Sequence, residues 1–340
     1  VAEPKRINLA LQGGGAHGAF TWGVLDRLLE DGRVEIAAMS GTSAGALNAA
    51  ALKAGLVEDG NDGARARLDW LWTQVGAVTD NRLTAWIDAF APSAPALAKA
   101  IEYSPAFAAF DISSRMMSPY VYGSVFKNPL RHILSELAFD HVCAADGPEL
   151  YICATNVRSG KIRVFSGEGI TADAVLASAC LPTLFQAVEI DGEAYWDGGY
   201  TGNPALFPLY ARHLPDDVVI VNINPLYREE VPTYPQAIQN RINEISFNSS
   251  LLRELRAVSF VHRLLGDGAV QKGAMKEVLV HMISDDMLMN ELNIATKMVP
   301  TPVVLARLKA AGREAAEKFL DAHWSDLNER GTVDLREMFS

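Results

Sequence analysis

The sequence predicts an α/β fold in which parallel strands form one sheet and helices cover its faces. Three observations predict it. Two strand-then-helix patterns follow one another through short loops within roughly the first 50 residues, which sets the strands side by side and parallel. The 340 residues are 49% hydrophobic and 21% charged, enough apolar material for a substantial core. No repeat, low-complexity tract or linker interrupts them, so a single domain over 1–340 is the economical reading.

The apolar run at 7–11 reads as a buried strand and empties into Gln12-Gly13-Gly14-Gly15-Ala16-His17-Gly18. Residues 19–30 place Trp22, Leu25, Leu28 and Leu29 on one helical face, and Asp31-Gly32 closes that helix. A second strand at 34–39 runs into Ser40-Gly41-Thr42-Ser43-Ala44-Gly45 and an alanine-rich helix over 44–55. Residues 64–75 are helical, with Leu68, Leu71, Trp72 and Val75 on the apolar face. Strand signals are missing between 60 and 140. The Pro- and Ala-rich insertion at about 76–140 holds Trp86, Phe90, Phe107, Phe110, Met116, Met117, Tyr120 and Tyr122. Such a stretch reads either as a lid with an acyl-chain pocket or as an extra helical layer of core. Asn128-Pro129-Leu130 opens a helix expected to reach Ala138.

Strands resume at 150–155 and 161–166 around a turn at 156–160, and a short helix over 173–180 stops at Leu181-Pro182. Asp191-Gly192 joins strands at 186–190 and 193–196 as the strongest hairpin signal in the chain. The second of these strands ends in Trp196-Asp197-Gly198-Gly199. Asn203-Pro204 reads as a helix start, 218–223 as a buried strand, and 235–265 as a long amphipathic helix carrying Arg241, Arg253, Arg256 and Arg263. That helix is either a partner or membrane face or a solvated helix packed on the sheet. Residues 278–283 form the last strand and 302–324 the closing helix.

A net charge of −11 argues against nucleic acid and against overall attraction to an anionic bilayer. Uncharged or dispersed lipid stays open as a substrate, as do transient contact with a membrane or lipid-droplet surface and a homodimer. Cys143, Cys153 and Cys180 show no CxxC or metal-finger spacing and read as buried residues of a reducing compartment. A cytoplasmic location is expected, with no metal and no cofactor. The chain enters a strand directly after Val-Ala-Glu-Pro-Lys-Arg, with no recognisable signal peptide and no apolar run near the ~20 residues of a membrane span. Because Val1 is not Met, what precedes it stays open.

Gly41-Thr42-Ser43-Ala44-Gly45 spells G-x-S-x-G on a strand-to-helix turn, the nucleophile-elbow pattern. With glycines to either side, a carbonyl can approach the Ser43 hydroxyl closely, while the helix amides point toward developing negative charge. The plain alternative is a capped βα loop. Gly13, Gly15 and Gly18 satisfy G-x-G-x-x-G, yet the acidic residue a dinucleotide ribose needs is replaced by Met39-Ser40-Gly41. A tight packing turn is one remaining reading. The other is an oxyanion hole built from the backbone amides of Gly13, Gly14, Gly15 and Ala16 beside Ser43. His17 then orients that loop or adds positive charge, or is a solvated or capping histidine.

Asp197 ends a strand ahead of two glycines and can point into a site uncrowded by side chains; its plain reading is an Asp-Gly turn. Desolvation by neighbours such as Tyr195 and Trp196 would raise its pKa from ~3.9 and make it a serviceable base. A Ser-His-Asp enzyme would need His213, His262, His281 or His323, none of which has a setting like that of Asp197.

Gly13-Gly14-Gly15-Ala16-His17-Gly18, Gly41-Thr42-Ser43-Ala44-Gly45, Ala177-Ser178-Ala179-Cys180-Leu181-Pro182 and Asp197-Gly198-Gly199 together resemble the motifs of bacterial patatin-like phospholipases, in order and spacing, and the likeness covers essentially the whole chain. The resemblance implies a three-layer α/β/α sandwich around a central, mostly parallel sheet. It also implies a Ser-Asp dyad without a histidine and calcium-independent hydrolysis of acyl esters, often of phospholipids or neutral lipids. Carried over by position, Ser43 is the nucleophile, Asp197 the base and residues 13–16 the oxyanion hole. The family often has Arg or Lys where this chain has His17, so a phosphate-binding role there does not carry over. A non-catalytic lipid-binding or interaction protein on the same fold is the alternative, and a nucleotide-binding loop is a second.

Overall fold

Parallel and antiparallel strands meet in one eight-stranded sheet, whose order is β5 (Val188–Ile190), β6 (Glu193–Asp197), β3 (Glu149–Asn156), β2 (Val34–Thr42), β1 (Lys5–Leu11), β7 (Asp217–Asn222) and β8 (Leu279–Ser284), with β4 (Ile162–Ser166) paired to β3. The structure, a computed structural model, describes residues 3–77, 118–122, 128–271, 273–292 and 294–339. The expected lid-like insertion at about 76–140, with Trp86, Phe90, Phe107, Phe110, Met116 and Met117, falls for the most part outside those residues.

Strand β1 (Lys5–Leu11) leads through a glycine loop and the short 3-10 turn Gly15–His17 into α1 (Gly18–Asp31), which ends where Gly32 turns left-handed at φ 71°. Strand β2 (Val34–Thr42) feeds α2 (Ala44–Ala77), broken at Asp59-Gly60 into the two helical arms the periodicity predicts. Strands β3 (Glu149–Asn156) and β4 (Ile162–Ser166) form a hairpin, followed by α3 (Ala172–Ser178), whose first turn is capped by the Thr171 hydroxyl. Strands β5 (Val188–Ile190) and β6 (Glu193–Asp197) flank Asp191-Gly192, both at positive φ as a type I′ turn requires. Strand β7 (Asp217–Asn222), α4 (Pro235–Gly266), β8 (Leu279–Ser284), α5 (Ile294–Met298) and α6 (Pro302–His323) complete the core elements.

Two expectations fail locally. The helix opened at Asn128-Pro129 stops at Ser135, and the next turn, Phe139–Val142, is separate. Asn203-Pro204 starts no helix. The Asn203 side chain is engaged far away in sequence, on Gly13, rather than capping the following amides, and only the 3-10 turn Phe207–Tyr210 follows.

Period-2 alternation sorts the strands into two buried faces. Leu9, Leu11, Val219 and Val221 pack with Phe20 and Leu25 of α1, Leu47 and Leu52 of α2 and Leu308 and Phe319 of α6. Ala10, Val218, Ile220 and Val280 face the other way, onto Leu251, Leu255 and Val258 of α4. The result is a three-layer α/β/α sandwich with a mostly parallel sheet. No described helix is long and apolar enough to cross a membrane.

The register of β3 sets the geometry that follows. Its edge away from β4 pairs first with β2, parallel, up to Thr42 opposite Cys153. It then pairs with β6, antiparallel, whose last residue Asp197 lies opposite Ala154. Two strands therefore run toward each other along one edge of β3 and end head to head, Ser43 leaving one and Asp197 closing the other.

Candidate active site

Ser43 is the single residue between the end of β2 and the start of α2, and the chain reverses there with φ 54°, a left-handed conformation that few residues with a β-carbon adopt. The turn is built by close approach. A Cβ on Gly13 would lie 2.6 Å from that of Ser43, and one on Gly41 would lie 2.6 Å from the Gly45 carbonyl oxygen. The Ser43 carbonyl accepts the Leu47 amide (3.1 Å) and opens the helix. Its own N–H donates to Ser178 Oγ at 2.9 Å, and Ser178 Oγ donates to the Cys153 carbonyl at 2.6 Å. Ser178 thus ties the elbow to β3. Ser178→Ala leaves two buried groups unpaired; we expect a loss of about 1–3 kcal/mol, read from denaturant unfolding, with a fall in activity as the turn loosens.

Asp197 is 1% exposed. Its Oδ1 accepts the Gly199 N–H at 2.8 Å, and the Ser43 side chain lies on the same carboxyl group, where it favours the charged form. The backbone is anchored on both sides, Asp197 N–H to the Cys180 carbonyl (2.8 Å) and its carbonyl to Thr155 Oγ1 (2.8 Å). Burial pushes the carboxyl pKa up to about 7, against the opposing pull of the Gly199 amide and Ser43. The rings beside this turn are Tyr200 and Phe247, 5.6 Å apart between centroids, with Phe247 packed on Gly199. Tyr195 instead packs edge-on against Phe165 in the core.

The glycine loop lies beside Ser43, but its four amides are not equivalent. The Gly13 N–H donates to Asn203 Oδ1 at 2.7 Å, which removes it from the expected set of oxyanion donors and makes it the loop's anchor. Among the described residues no acceptor is paired with the N–H groups of Gly14, Gly15 and Ala16. Behind the loop lies a buried amide network. Gln12 Oε1 accepts the amides of Ile223 (2.9 Å) and Asn224 (3.1 Å), Gln12 Nε2 donates to Asn248 Oδ1 (3.2 Å), and Asn224 Nδ2 donates to the Gly13 carbonyl (2.9 Å).

His17 is 1% exposed, so it is not solvated, and although it stands at the N-cap position of α1 its side chain makes no capping bond. Its Nε2 meets Thr296 Oγ1 at 2.8 Å, while Nδ1 has no partner. Burial, helped by the charge of Lys297, holds its pKa well below the usual imidazole value, so it is neutral and adds no positive charge to the loop. It joins the loop to α5.

The other histidines are held elsewhere. His213 pairs with Glu149 (2.6 Å), His262 with the Val278 carbonyl (2.9 Å) and His323 with Asp326 (2.9 Å). His281 and Asp217 form a buried pair at 2.9 Å, but Asp217 begins β7, at the end of the parallel strands opposite to Ser43. The residues missed from sequence are Gln12, Ser178, Asn203, Asn224 and Asn248. Only Ser178 had a signal, its place in the Ala177–Pro182 motif, and that motif carried no role.

A model of the family described as patatin-like phospholipase matches residues 9–210, more than half of the chain. No curated protein matches. Among solved structures, VipD from Legionella pneumophila is similar with a TM-score of 0.42 and 16% identity over 94% of this chain and 67% of that one. ExoU of the Pseudomonas aeruginosa type III secretion system, in complex with SpcU, gives 0.34 and 20% over 73% and 51%. A further ExoU structure gives 0.34 and 17% over 95% and 54%. The chain spans about two thirds of the length of the VipD chain and about half that of the ExoU chains.

Proposed function

The chain belongs to the patatin-like phospholipase family, and on that premise we propose that it is a serine acyl hydrolase cleaving carboxylic esters of lipids through Ser43 and Asp197. The observation that carries the proposal is the placement of Ser43 and the buried Asp197 at strand ends that meet head to head on β3, with the Ser43 side chain acting on a carboxyl group whose pKa burial pushes up to about 7. A carboxylate so placed is a far stronger base than one in water, and its pKa is matched to neutral operation.

In the first half-reaction ionised Asp197 takes the Ser43 Oγ proton as Oγ bonds to the ester carbonyl carbon. The carbonyl oxygen becomes an oxyanion facing the amides of Gly14, Gly15 and Ala16. Collapse of this intermediate breaks the bond to the alcohol oxygen, which leaves with the proton from Asp197. Water then gives a proton to Asp197, attacks the Ser43 ester and releases the carboxylic acid, restoring the Ser43 hydroxyl. Each donor of such a hole typically contributes about 3 kcal/mol to transition-state stabilisation.

A chain-length series of p-nitrophenyl esters, beside phospholipid vesicles and in the presence of a chelator, tests the reading. We expect carboxylic acid release from both substrate types without calcium. Acyl-chain binding without turnover would support the alternative, a lipid-binding protein on a hydrolase fold.

A further inference from the structure

The segment that packs on the glycine loop from the far end of the chain is α5, and it holds the loop at three points. Thr296 Oγ1 bonds His17 at the loop's exit. The Lys297 backbone carbonyl rests against Gly15, at φ 59°, so closely that a β-carbon there would collide with it. Lys297 Nζ donates to Asn224 Oδ1 at 2.9 Å, and Asn224 Nδ2 in turn holds the Gly13 carbonyl (2.9 Å) and Gln12 Oε1 (3.0 Å).

We propose that Lys297 is a positioning residue of the reaction, its ammonium locking the Asn224 amide that anchors the glycine loop and supplying positive potential behind the Gly14, Gly15 and Ala16 amides. The proposal rests on the Ser43–Asp197 reading above. The orientation argument is chemical. A flipped Asn224 would set its NH2 against the ammonium and its oxygen against two other oxygens, so the cation permits one orientation only.

The potential follows from what surrounds Lys297. On α4, Glu244 is already held in a fork by Arg228 (2.6 and 2.8 Å) and is bonded by Arg241 (3.2 Å), so its charge is shared between two guanidinium groups. His17, on the loop side, is neutral. Among the described residues no carboxylate is ion-paired with Lys297 itself. The local field at the loop is therefore positive while Lys297 is protonated.

Lys297 does not stay protonated far into the alkaline range. Desolvation lowers its pKa to about 8, with Glu244 raising it and Arg228 lowering it further. Asp197 must be ionised to act, which sets an acid limb at about 7, and Lys297 must be protonated, which sets an alkaline limb at about 8.

The test is the pH dependence of kcat and KM for a p-nitrophenyl ester with wild type, Lys297→Arg, Lys297→Met and Ser43→Ala, with each fold checked by thermal melting. In wild type kcat is expected to fall above pH about 8 while KM stays level. Lys297→Arg is expected to keep most of the activity and to carry the alkaline limb upward out of range, because a guanidinium stays charged. Lys297→Met is expected to lose about tenfold in kcat at neutral pH, the scale of one unit charge across roughly 10 Å at an effective dielectric constant near 20, and to lack the limb. A wild-type limb unchanged in Lys297→Arg overturns the proposal, as does a wild-type profile flat from about 7.5 to 9; neither result depends on Lys297→Met folding. If Ser43→Ala is inactive, such a result removes this inference alone. If Ser43→Ala is active, the reading beneath it falls instead.

Discussion

Ser43→Ala is expected to lower kcat for ester hydrolysis by about 10,000-fold or more, the scale seen when a catalytic serine is removed from a site whose oxyanion donors remain. Substrate binding should persist, because only the Oγ is lost and the glycine loop and its amide network do not depend on it. The same position carries backbone strain, since Ser43 sits at φ 54°. Ser43→Gly should therefore be as inactive as Ser43→Ala and yet be more stable than it by about 1 kcal/mol, because glycine brings no β-carbon to a left-handed backbone. Activity and thermal melting of the two variants read the chemical role and the strain separately. Equal melting of both would mean that the elbow stores no strain.

Asp197→Asn is the second large effect. The amide can still accept the Gly199 N–H and face Ser43 but takes no proton, so kcat is expected to fall by about 1,000- to 10,000-fold, as when the acid of a catalytic triad becomes an amide. Stability should move the other way. In the unfolded chain this carboxyl ionises near ~3.9, whereas burial in the fold holds it protonated up to about 7. Its contribution to stability is present below the unfolded value and is lost as pH rises through about 7. Above that pH the fold carries a buried charge that Asn lacks, so Asp197→Asn should gain on wild type by a few kcal/mol between about pH 4 and 7. Denaturant unfolding at several pH values checks this. A constant difference across that range would mean that Asp197 is not the desolvated group described here.

What was legible in the sequence was what glycines and short-range periodicity report. Gly13-Gly14-Gly15 after an apolar run, Gly41 and Gly45 around Ser43, and Asp191-Gly192 each mark a backbone geometry fixed by neighbours within a few residues, and each lies where the pattern placed it. The alternation of Leu9, Ala10 and Leu11 likewise separates the two faces of the sheet. The rest was set by long-range pairing. That β6 would close on β2 along one edge of β3 depends on two registers, one joining Thr42 to Cys153 and the other Ala154 to Asp197, on which no local signal bears. Asn203 looked like a helix start because Asn-Pro is one locally; its partner is Gly13, 190 positions away. His17 could be read as solvated, capping or cationic until Thr296 and Lys297 were seen to enclose it.

The central claim is that Ser43 becomes the acyl carrier because Asp197 deprotonates it. Mass spectrometry of the protein after reaction with a fluorophosphonate probe tests it most directly. The account predicts a single adduct on the peptide carrying Ser43 in wild type and labelling slowed by orders of magnitude in Asp197→Asn, with the fold intact. An adduct on another residue, or Asp197→Asn labelled at the wild-type rate, would contradict it.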